Sequence, residues 1–264
     1  MATMTAASRY KRAVKKKIQF QKFAEVYDSL MDLQHFYDSY YRFIIEILQK
    51  LNFNPKNILD LACGTGKLAE IFLKNCYKIE GVDLSEAMLK IARKRGLKTY
   101  RRNMVDFRLG KKYDLIVCIF DSLNYLQSQS QLQKCFASVY SNLNSGSLFV
   151  FDVNSDYKIN SYIPKVNKTA HYKIGNTELI WENSHKPDAW IAKITMIEKT
   201  KDGGNRKYHE THVEKAYSLK TIRELLEKSG LNVVGVYGDF EFNKVKKDSL
   251  KWFFVCRRKA LQEF

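Results

Sequence analysis

The sequence has no apolar run long enough to cross a bilayer, which argues against a membrane-spanning helix. Its first residues also lack the apolar centre of a secretory signal, so we expect a cytoplasmic protein with no membrane partner. The five cysteines are an odd number and include no Cys-x-x-Cys pair. That pattern predicts reduced thiols and no zinc site.

Acidic residues are absent from positions 1–23, which carry seven Lys and Arg. We expect residues 1–19 to form a basic flexible tail, because concentrated like charge without an apolar pattern builds no core. The chain has a net charge of +17, of which +10 remains without these seven. Such a surplus suits a polyanion such as RNA or a phosphorylated substrate, and it also suits a solvated lysine-rich surface.

Residues 58–69 have the pattern of a buried strand, a tight glycine turn and the start of a helix. The two glycines allow the backbone to approach a ligand closely, because no Cβ stands in the way. Residues 77–83 predict a second strand that ends on Asp83, where nucleotide-binding folds use an acid to accept hydrogen bonds from ribose hydroxyls. Asp60 precedes the glycines and would repel a pyrophosphate, but it suits a ligand with an ammonium and a sulfonium.

The motifs Asp-Leu-Ala-Cys-Gly-Thr-Gly at 60–66 and Gly-Val-Asp-Leu-Ser-Glu-Ala-Met-Leu at 81–89 resemble those of class I S-adenosylmethionine-dependent methyltransferases. The resemblance implies the cofactor S-adenosyl-L-methionine and an α/β fold, namely a Rossmann-like seven-stranded sheet with N-terminal helices. Asn103 stands where many family members have an acid that binds the adenine amine, and Asp106 is a second candidate. By analogy with the family, the cofactor-binding residues are Tyr27, Tyr40, Asp60, Ala62, Gly64, Gly66, Asp83, Leu84, Met88, Asn103, Met104, Asp106 and Phe120.

The remaining pattern is typical of this fold. Helical spacing of apolar residues predicts two helices before the first strand, the second over residues 37–51. A continuous apolar run at 113–120 predicts a central parallel strand. After a fifth strand at 147–153, alternating segments predict an antiparallel β insertion within residues 156–217. We therefore expect one methyltransferase domain over residues 20–264.

Residues 121–125 and 151–155 resemble the bacterial small-molecule branch of the family, which includes amino-sugar N-methyltransferases. The resemblance implies in-line transfer of a methyl group to an N or O atom of a small molecule. Net charge suggests the alternative of an RNA or protein methyltransferase. Against it, residues 121–124 lack the Pro-Pro-aromatic segment of amino-methylating nucleic-acid enzymes, and Cys118 has no neighbouring proline. A non-catalytic cofactor-binding protein is a third interpretation, and the oligomeric state stays open.

A base is needed only when the acceptor must lose a proton near the transition state. The candidate bases or acceptor anchors are Asp121, Tyr125, His209, Glu210 and His212, of which we predict Asp121, Tyr125 and His212 to be catalytic. His-Glu-Thr-His at 209–212 lacks the His-Glu-x-x-His spacing, so we predict no metal site. We expect the insertion to cover the acceptor side and to offer Trp181, Glu182, His209 or His212 there. The alternative is a dimerisation sheet that faces away from the site.

Overall fold

The computed structural model describes residues 19–32, 36–166, 168–200, 202–242 and 244–259. Of the predicted flexible tail, residues 1–18 lie outside this range. The α-helices are α1 (Ala24–Asp32), α2 (Phe36–Lys50), α3 (Lys67–Lys74), α4 (Glu86–Lys94), α5 (Gln129–Asn142) and α6 (Leu219–Lys228). The strands are β1 (Ile58–Leu61), β2 (Ile79–Asp83), β3 (Lys98–Arg101), β4 (Tyr113–Cys118), β5 (Leu143–Asn154), β6 (Thr169–Ile174), β7 (Thr177–Lys186), β8 (Ala189–Lys199), β9 (Asn205–Lys215), β10 (Leu231–Gly238) and β11 (Lys251–Arg258). Short helical turns cover Ser122–Tyr125, Lys158–Tyr162 and Ile163–Lys165.

Seven strands form the central sheet in the order β10-β11-β5-β4-β1-β2-β3, in which β11 runs antiparallel to both of its neighbours. The residues of β1 and β4 are almost all buried, as expected for parallel strands covered on both faces. This sheet confirms the predicted Rossmann-like fold. The parallel strands place the residues that follow β1, β2 and β4 at one carboxyl edge, where ligands bind in open α/β sheets.

A second sheet, with the order β6-β7-β8-β9, is inserted between β5 and α6 and is antiparallel throughout. We call it the insertion sheet. It confirms the predicted antiparallel insertion after the fifth strand. Its inner face packs against α1 through a cluster formed by Phe23, Val26, Leu30, Leu179, Ile194 and Met196. The first helix of the described chain is therefore held between the insertion sheet and the edge of the central sheet.

The boundary between α5 and β5 differs from the predicted one. β5 begins at Leu143 rather than at residue 147, so residues 143–146 lie inside the strand. Tyr113 pairs with Leu143, whereas Leu115 pairs with Leu148. β5 therefore has extra residues opposite β4, and they form a bulge-like irregularity in the pairing. Gly146 makes this possible because it takes a φ of 75°.

All five cysteines are free thiols. Burial raises the pKa of Cys118 well above its ordinary value, so this thiol stays protonated and is a poor nucleophile. Within the described ranges, none of the helices combines the length and the apolar character needed to span a membrane.

Candidate active site

The loop from β1 to α3 carries the glycine motif and is tied to the end of β2. Ala62 and Gly64 take positive φ angles of 62° and 54°, which turn the chain sharply after β1. The N–H of Gly64 donates to Asp83 Oδ2 at 2.9 Å, and the N–H of Ser85 donates to Asp83 Oδ1 at 2.8 Å. The carboxylate of Asp83 therefore fixes two loops at once, and it keeps lone pairs for a further donor.

A cavity of about 680 Å³ lies at this carboxyl edge and extends beneath the insertion sheet. Its volume is that of a typical small-molecule and cofactor site. At one end the walls come from the loops after β1 and β2, including Asp60, Gly64 and Asp83. At the other end they come from the turn after β4 and from the inner face of the insertion sheet. One cavity thus joins the two regions that the sequence predicts for cofactor and acceptor.

Two acidic residues lie at the end of the cavity that the loops after β1 and β2 form. Asp60 is almost fully buried, and burial, reinforced by the nearby charge of Asp83, raises its pKa to about 8. Burial also raises the pKa of Asp83, against the opposing effect of its backbone hydrogen bonds. Such a pair disfavours an anionic ligand and favours one with positive charge and hydroxyl donors. This chemistry fits S-adenosylmethionine, which carries an ammonium, a sulfonium and a ribose.

The adenine candidates lie beside these acids. Leu84, Met88, Asn103 and Met104 all line the cavity. The Asn103 Oδ1 accepts a hydrogen bond from the Val105 N–H at 3.1 Å, which fixes the side chain in its loop.

Aromatic side chains from α1 and α2 cover the centre of the cavity. Tyr27 and Tyr40 line it, and burial raises the pKa of both phenols, so they remain neutral. The Tyr40 ring lies 4.4 Å from that of Phe120, centroid to centroid, and the Tyr37 ring lies 4.8 Å from Phe120. These rings form an apolar wall between the two ends of the cavity, where they would exclude water.

The turn after β4 holds two consecutive residues in the left-handed region. Phe120 has a φ of 57° and Asp121 has a φ of 51°. Neither is glycine, so the conformation costs on the order of 1–3 kcal/mol per residue and needs support from its surroundings. Part of that support is the Asp121 N–H, which donates to the carboxylate of Asp152 at 3.2 Å. The turn aims Asp121 into the cavity.

An ion cluster, formed by Asp121, Asp152 and Lys251, underlies this turn. Lys251 Nζ lies 2.7 Å from Asp152 Oδ2 and also donates to Asp121 Oδ1. The Tyr40 hydroxyl donates to Asp152 Oδ2 at 2.9 Å. Burial acts to raise the pKa of Asp121, but the ammonium groups of Lys251 and Lys158 outweigh it and hold the pKa below its ordinary value. Asp121 is therefore an ionised carboxylate at neutral pH.

A second carboxyl, Glu214 of β9, faces the same end of the cavity. Burial and the neighbouring charge of Asp121 raise the pKa of Glu214 well above its ordinary value. Its neighbour Lys158 lines the cavity too, and its Nζ donates to Asn154 Oδ1 at 2.8 Å. Two carboxyl groups with pKa values displaced in opposite directions are typical of acid–base and anchoring chemistry in active sites.

Tyr125 and His212 meet across the gap between the central sheet and the insertion sheet. The Tyr125 hydroxyl lies 3.1 Å from His212 Nδ1, and both side chains line the cavity. Asp121, Tyr125 and His212, which we predicted to be catalytic, therefore lie around one end of one cavity. Their roles in the reaction remain a prediction.

Five predicted contributors lie outside the cavity wall, and one of them, Glu210, contacts His212. Gly66 is required for packing, because a Cβ there would lie 3.0 Å from the Cβ of Ala92. Asp106 lies in the turn after β3, where it is exposed and does not line the cavity, although residues 102–105 do. Glu182 and His209 are exposed on the outer face of the insertion sheet, where His209 Nδ1 lies 3.0 Å from Thr195 Oγ1. Strand alternation causes this, since adjacent residues point to opposite faces.

Sequence reasoning missed Lys158, Glu214 and Lys251. The sequence contains a pattern that indicates Glu214, because this residue continues the alternation of Glu210 and His212 along β9. No sequence pattern indicates Lys158 or Lys251, because each is one lysine of a lysine-rich chain and is buried only by distant elements.

The fold and the cavity together define a Rossmann-like enzyme that binds a nucleoside cofactor beside a second ligand. A family model described as methyltransferase domain matches residues 33–236. The structure of a S-adenosylmethionine-dependent methyltransferase from Clostridium acetobutylicum is 30% identical, has a TM-score of 0.78, and covers 90% of this chain and 98% of its own. The chain belongs to the methyltransferase domain family and is an S-adenosylmethionine-dependent methyltransferase.

Two further comparisons concern proteins of Streptomyces venezuelae. The dTDP-3-amino-3,4,6-trideoxy-alpha-D-glucopyranose N,N-dimethyltransferase of Streptomyces venezuelae is 35% identical over 111 residues, which are 41% of this chain and 47% of the relative. The structure of DesVI from the same organism is 22% identical with a TM-score of 0.71, covers 88% of this chain and 97% of its own, and shows the same fold.

Replacing Asp83 with alanine should weaken S-adenosylhomocysteine binding roughly tenfold or more, because a hydrogen bond to a charged acceptor contributes about 1.5–3 kcal/mol. Isothermal calorimetry measures the affinity, and a melting curve checks that the two loops held by Asp83 still fold. Asp106→Ala is the matched control and should bind as the wild type does, since Asp106 lies outside the cavity wall. Unchanged affinity in Asp83→Ala, or tighter binding of NADH than of S-adenosylmethionine, would contradict this assignment.

Proposed function

We propose that the enzyme transfers the methyl group of S-adenosylmethionine to a nitrogen or oxygen atom of a small molecule by in-line displacement. The acceptor binds in the half of the cavity between the turn after β4 and the insertion sheet. The observation that carries the proposal is the composition of that half. It combines the charged groups of Asp121, Lys158 and Lys251 with the carboxyl of Glu214 under a sheet that covers them.

The position of the insertion sheet supports a small acceptor. The inner face contributes Ala170, Tyr172, Trp181, Asn183, Trp190, Ala192, His212 and Glu214 to the cavity wall. The same face also packs against α1, so the insertion sheet and α1 both cover part of the cavity. A covered cavity suits a small molecule better than a polymer strand, which needs an open groove. Relatives named as amino-sugar N,N-dimethyltransferases favour an amino-bearing acceptor.

The cofactor supplies a methyl group on a sulfonium, which is already activated for transfer. The protein's own residues then have to orient the acceptor, exclude water and receive a proton where one is lost. Asp121 and Glu214 are placed to bind an amino or hydroxyl group of the acceptor. Trp181 and Trp190 give flat apolar surfaces on which a sugar ring or similar skeleton can lie.

Glu214→Gln should lower turnover about 10–100-fold and leave S-adenosylhomocysteine affinity within about twofold. A buried polar group left without its hydrogen-bond partner costs about 1–3 kcal/mol, and here the loss acts on the acceptor alone. Glu182→Gln is the matched control: it makes the same chemical change on another strand of the insertion sheet, but on the exposed face. The assay offers amino sugars, their nucleotide-linked forms, RNA and denatured protein, and it counts transferred methyl groups. Methylation of RNA or protein with no small acceptor would contradict the proposal and support use of the basic surface. Equal turnover of Glu214→Gln and Glu182→Gln would contradict the acceptor role of the insertion sheet.

A further inference from the structure

Three side chains form a line from the acceptor half of the cavity to the segment that precedes α1. The Tyr125 hydroxyl lies 3.1 Å from His212 Nδ1. On the other side of the same ring, His212 Nε2 lies 3.4 Å from Glu210 Oε2. His212 is 3% exposed, and the Phe20 ring packs against it at 4.6 Å between centroids. The line therefore meets the cavity at Tyr125 and His212, whereas Glu210 lies outside the cavity wall.

The carboxylate of Glu210, at the far end of the line, determines where the hydrogens lie along it. A carboxylate can only accept, so the favourable arrangement places a hydrogen on His212 Nε2, towards Glu210. The Nδ1 atom is then bare and accepts the hydrogen of the Tyr125 hydroxyl. The Tyr125 oxygen keeps its lone pairs for a donor in the cavity. Among the described residues, no acceptor is aligned for a hydrogen bond with His212 Nε2. The 3.4 Å distance from this atom to Glu210 Oε2 can therefore shorten when the imidazole ring becomes charged.

Glu210 is held as an anion by the chain in front of α1. Its Oε1 accepts the N–H groups of Gln21 and Phe23, each at 3.0 Å, and its Oε2 accepts the N–H of Phe20 at 2.6 Å. Burial acts to raise the pKa of Glu210, but these hydrogen bonds and the contact with His212 outweigh it and lower the pKa. Burial and the charges of Glu214 and Asp121 raise the pKa of Tyr125 well above its ordinary value. A lone phenolate base is thus disfavoured, and Tyr125 needs a partner that takes its proton.

We propose that Tyr125, His212 and Glu210 form a proton relay that receives the proton lost by the acceptor. This inference rests on the proposed function. As the acceptor atom bonds to the methyl carbon, the carbon–sulfur bond breaks and its electron pair stays on sulfur. The acceptor's proton passes to the Tyr125 oxygen while the Tyr125 hydroxyl proton passes to His212 Nδ1. The positive charge of the sulfonium ends on the imidazolium, beside the carboxylate of Glu210, so charge and atoms balance. Tyr125 touches the acceptor, whereas His212 and Glu210 act through it as positioning residues.

Nitrogen NMR of histidine-labelled protein tests the relay without any acceptor. We expect the His212 ring at neutral pH to be protonated on Nε2 and bare on Nδ1, with the signal assigned by its loss in His212→Gln. Glu210→Gln should shift this ring towards the other tautomer, because the carboxylate that holds the Nε2 hydrogen is gone. A proton on Nδ1 in the wild type, or His212 signals unchanged by Glu210→Gln, overturns the relay.

Kinetics with the acceptor identified by the methylation panel test the proton transfer itself. Tyr125→Phe and His212→Gln should each lower kcat about 100-fold with little change in KM, which is the low end of the range for general acid–base catalysis. The double variant should be no slower than the slower single variant, because members of one relay are not additive. His209→Gln is the matched control, three residues from His212 on the same strand but on the outer face, and should turn over normally.

The two experiments separate the possible failures. Additive losses in the double variant, or wild-type kcat in Tyr125→Phe, overturn the relay while methyl transfer to a small molecule stands. If the panel yields no small acceptor, the proposed function fails, and the NMR result still decides whether the three side chains share the inferred proton arrangement. Glu210 also holds the segment before α1 through three backbone hydrogen bonds. Calorimetry with S-adenosylhomocysteine therefore accompanies Glu210→Gln, because loss of this structural role changes cofactor affinity rather than kcat.

Discussion

S-adenosylhomocysteine should bind about 50-fold more tightly at pH 8 than at pH 6, because its binding competes with a proton on Asp60. The pKa of Asp60 is raised to about 8 by burial and by the charge of Asp83. Only about 1% of the protein then has an ionised Asp60 at pH 6, against about half at pH 8. The ligand carries an ammonium and therefore prefers the ionised form. Affinity should rise almost tenfold per pH unit below pH 7.5 and level off above the pKa.

Calorimetry over this pH range measures the slope directly. Titrations at pH 7 in two buffers of different ionisation enthalpy should also show release of close to one proton per ligand bound. Asp60→Asn is the matched variant: it keeps the shape of the side chain and should bind weakly, without a slope between pH 6 and 8. A flat wild-type profile, or the same slope in Asp60→Asn, would contradict the role of Asp60 as the acid that meets the positive end of the cofactor.

Lys251→Met should lower the free energy of unfolding by about 3–5 kcal/mol at pH 7.5, because it leaves two buried carboxylates without their cation. Lys251 contacts both Asp121 and Asp152, and the Asp152 side chain is fully buried. In the wild type, Lys251 and Lys158 hold the pKa of Asp121 below its unfolded value, so this group stabilises the fold above about pH 4 and loses that effect as the pH falls. In the variant, the pKa of Asp121 rises, and the fold instead loses stability as the pH rises. The difference between the two proteins should therefore be largest at neutral pH and shrink towards pH 4.

Urea denaturation at a series of pH values measures this difference. Lys220→Met is the surface control, since Lys220 is 86% exposed and pairs with Glu224 at 4.0 Å, and it should cost less than about 0.5 kcal/mol. Adding Asp121→Asn to Lys251→Met should restore part of the stability, because it removes one uncompensated charge. Equal stability of Lys251→Met and Lys220→Met across the pH range would show that the ion cluster does not hold the turn after β4.

The cofactor half could be predicted because its determinants are local. Asp60, Gly64 and Asp83 lie at the ends of two consecutive strands, and parallel pairing of β1 and β2 brings those ends together. Gly66 packs against Ala92, and neither Gly66 nor Asp106 lines the cavity, although both were predicted to bind the cofactor. A motif fixes the path of the loop but not which of its residues line the cavity.

The acceptor half was predicted less completely because it is assembled from distant parts of the chain. Asp121 follows β4, Lys158 lies in the turn after β5, Glu214 lies near the end of β9 and Lys251 begins β11. Sequence periodicity does not predict which lysines are buried beside carboxylates. Their burial follows only from the packing of the two sheets. Glu182 and His209 were predicted for the cavity from their chemistry, whereas the register of β7 and β9 places them on the outer face. Period-two alternation was sufficient to pair Glu210 with His212, but not to fix which face turns inward.

A crystal structure of the complex with S-adenosylhomocysteine tests the division of the cavity most directly. We predict ribose hydroxyls within hydrogen-bond distance of Asp83, the amino acid end of the ligand near Asp60, and the thioether facing a closed pocket bounded by Asp121, Tyr125 and Glu214. A ligand that avoids Asp83, or a thioether facing an open basic groove instead of that pocket, would contradict the assignment of a small-molecule methyltransferase.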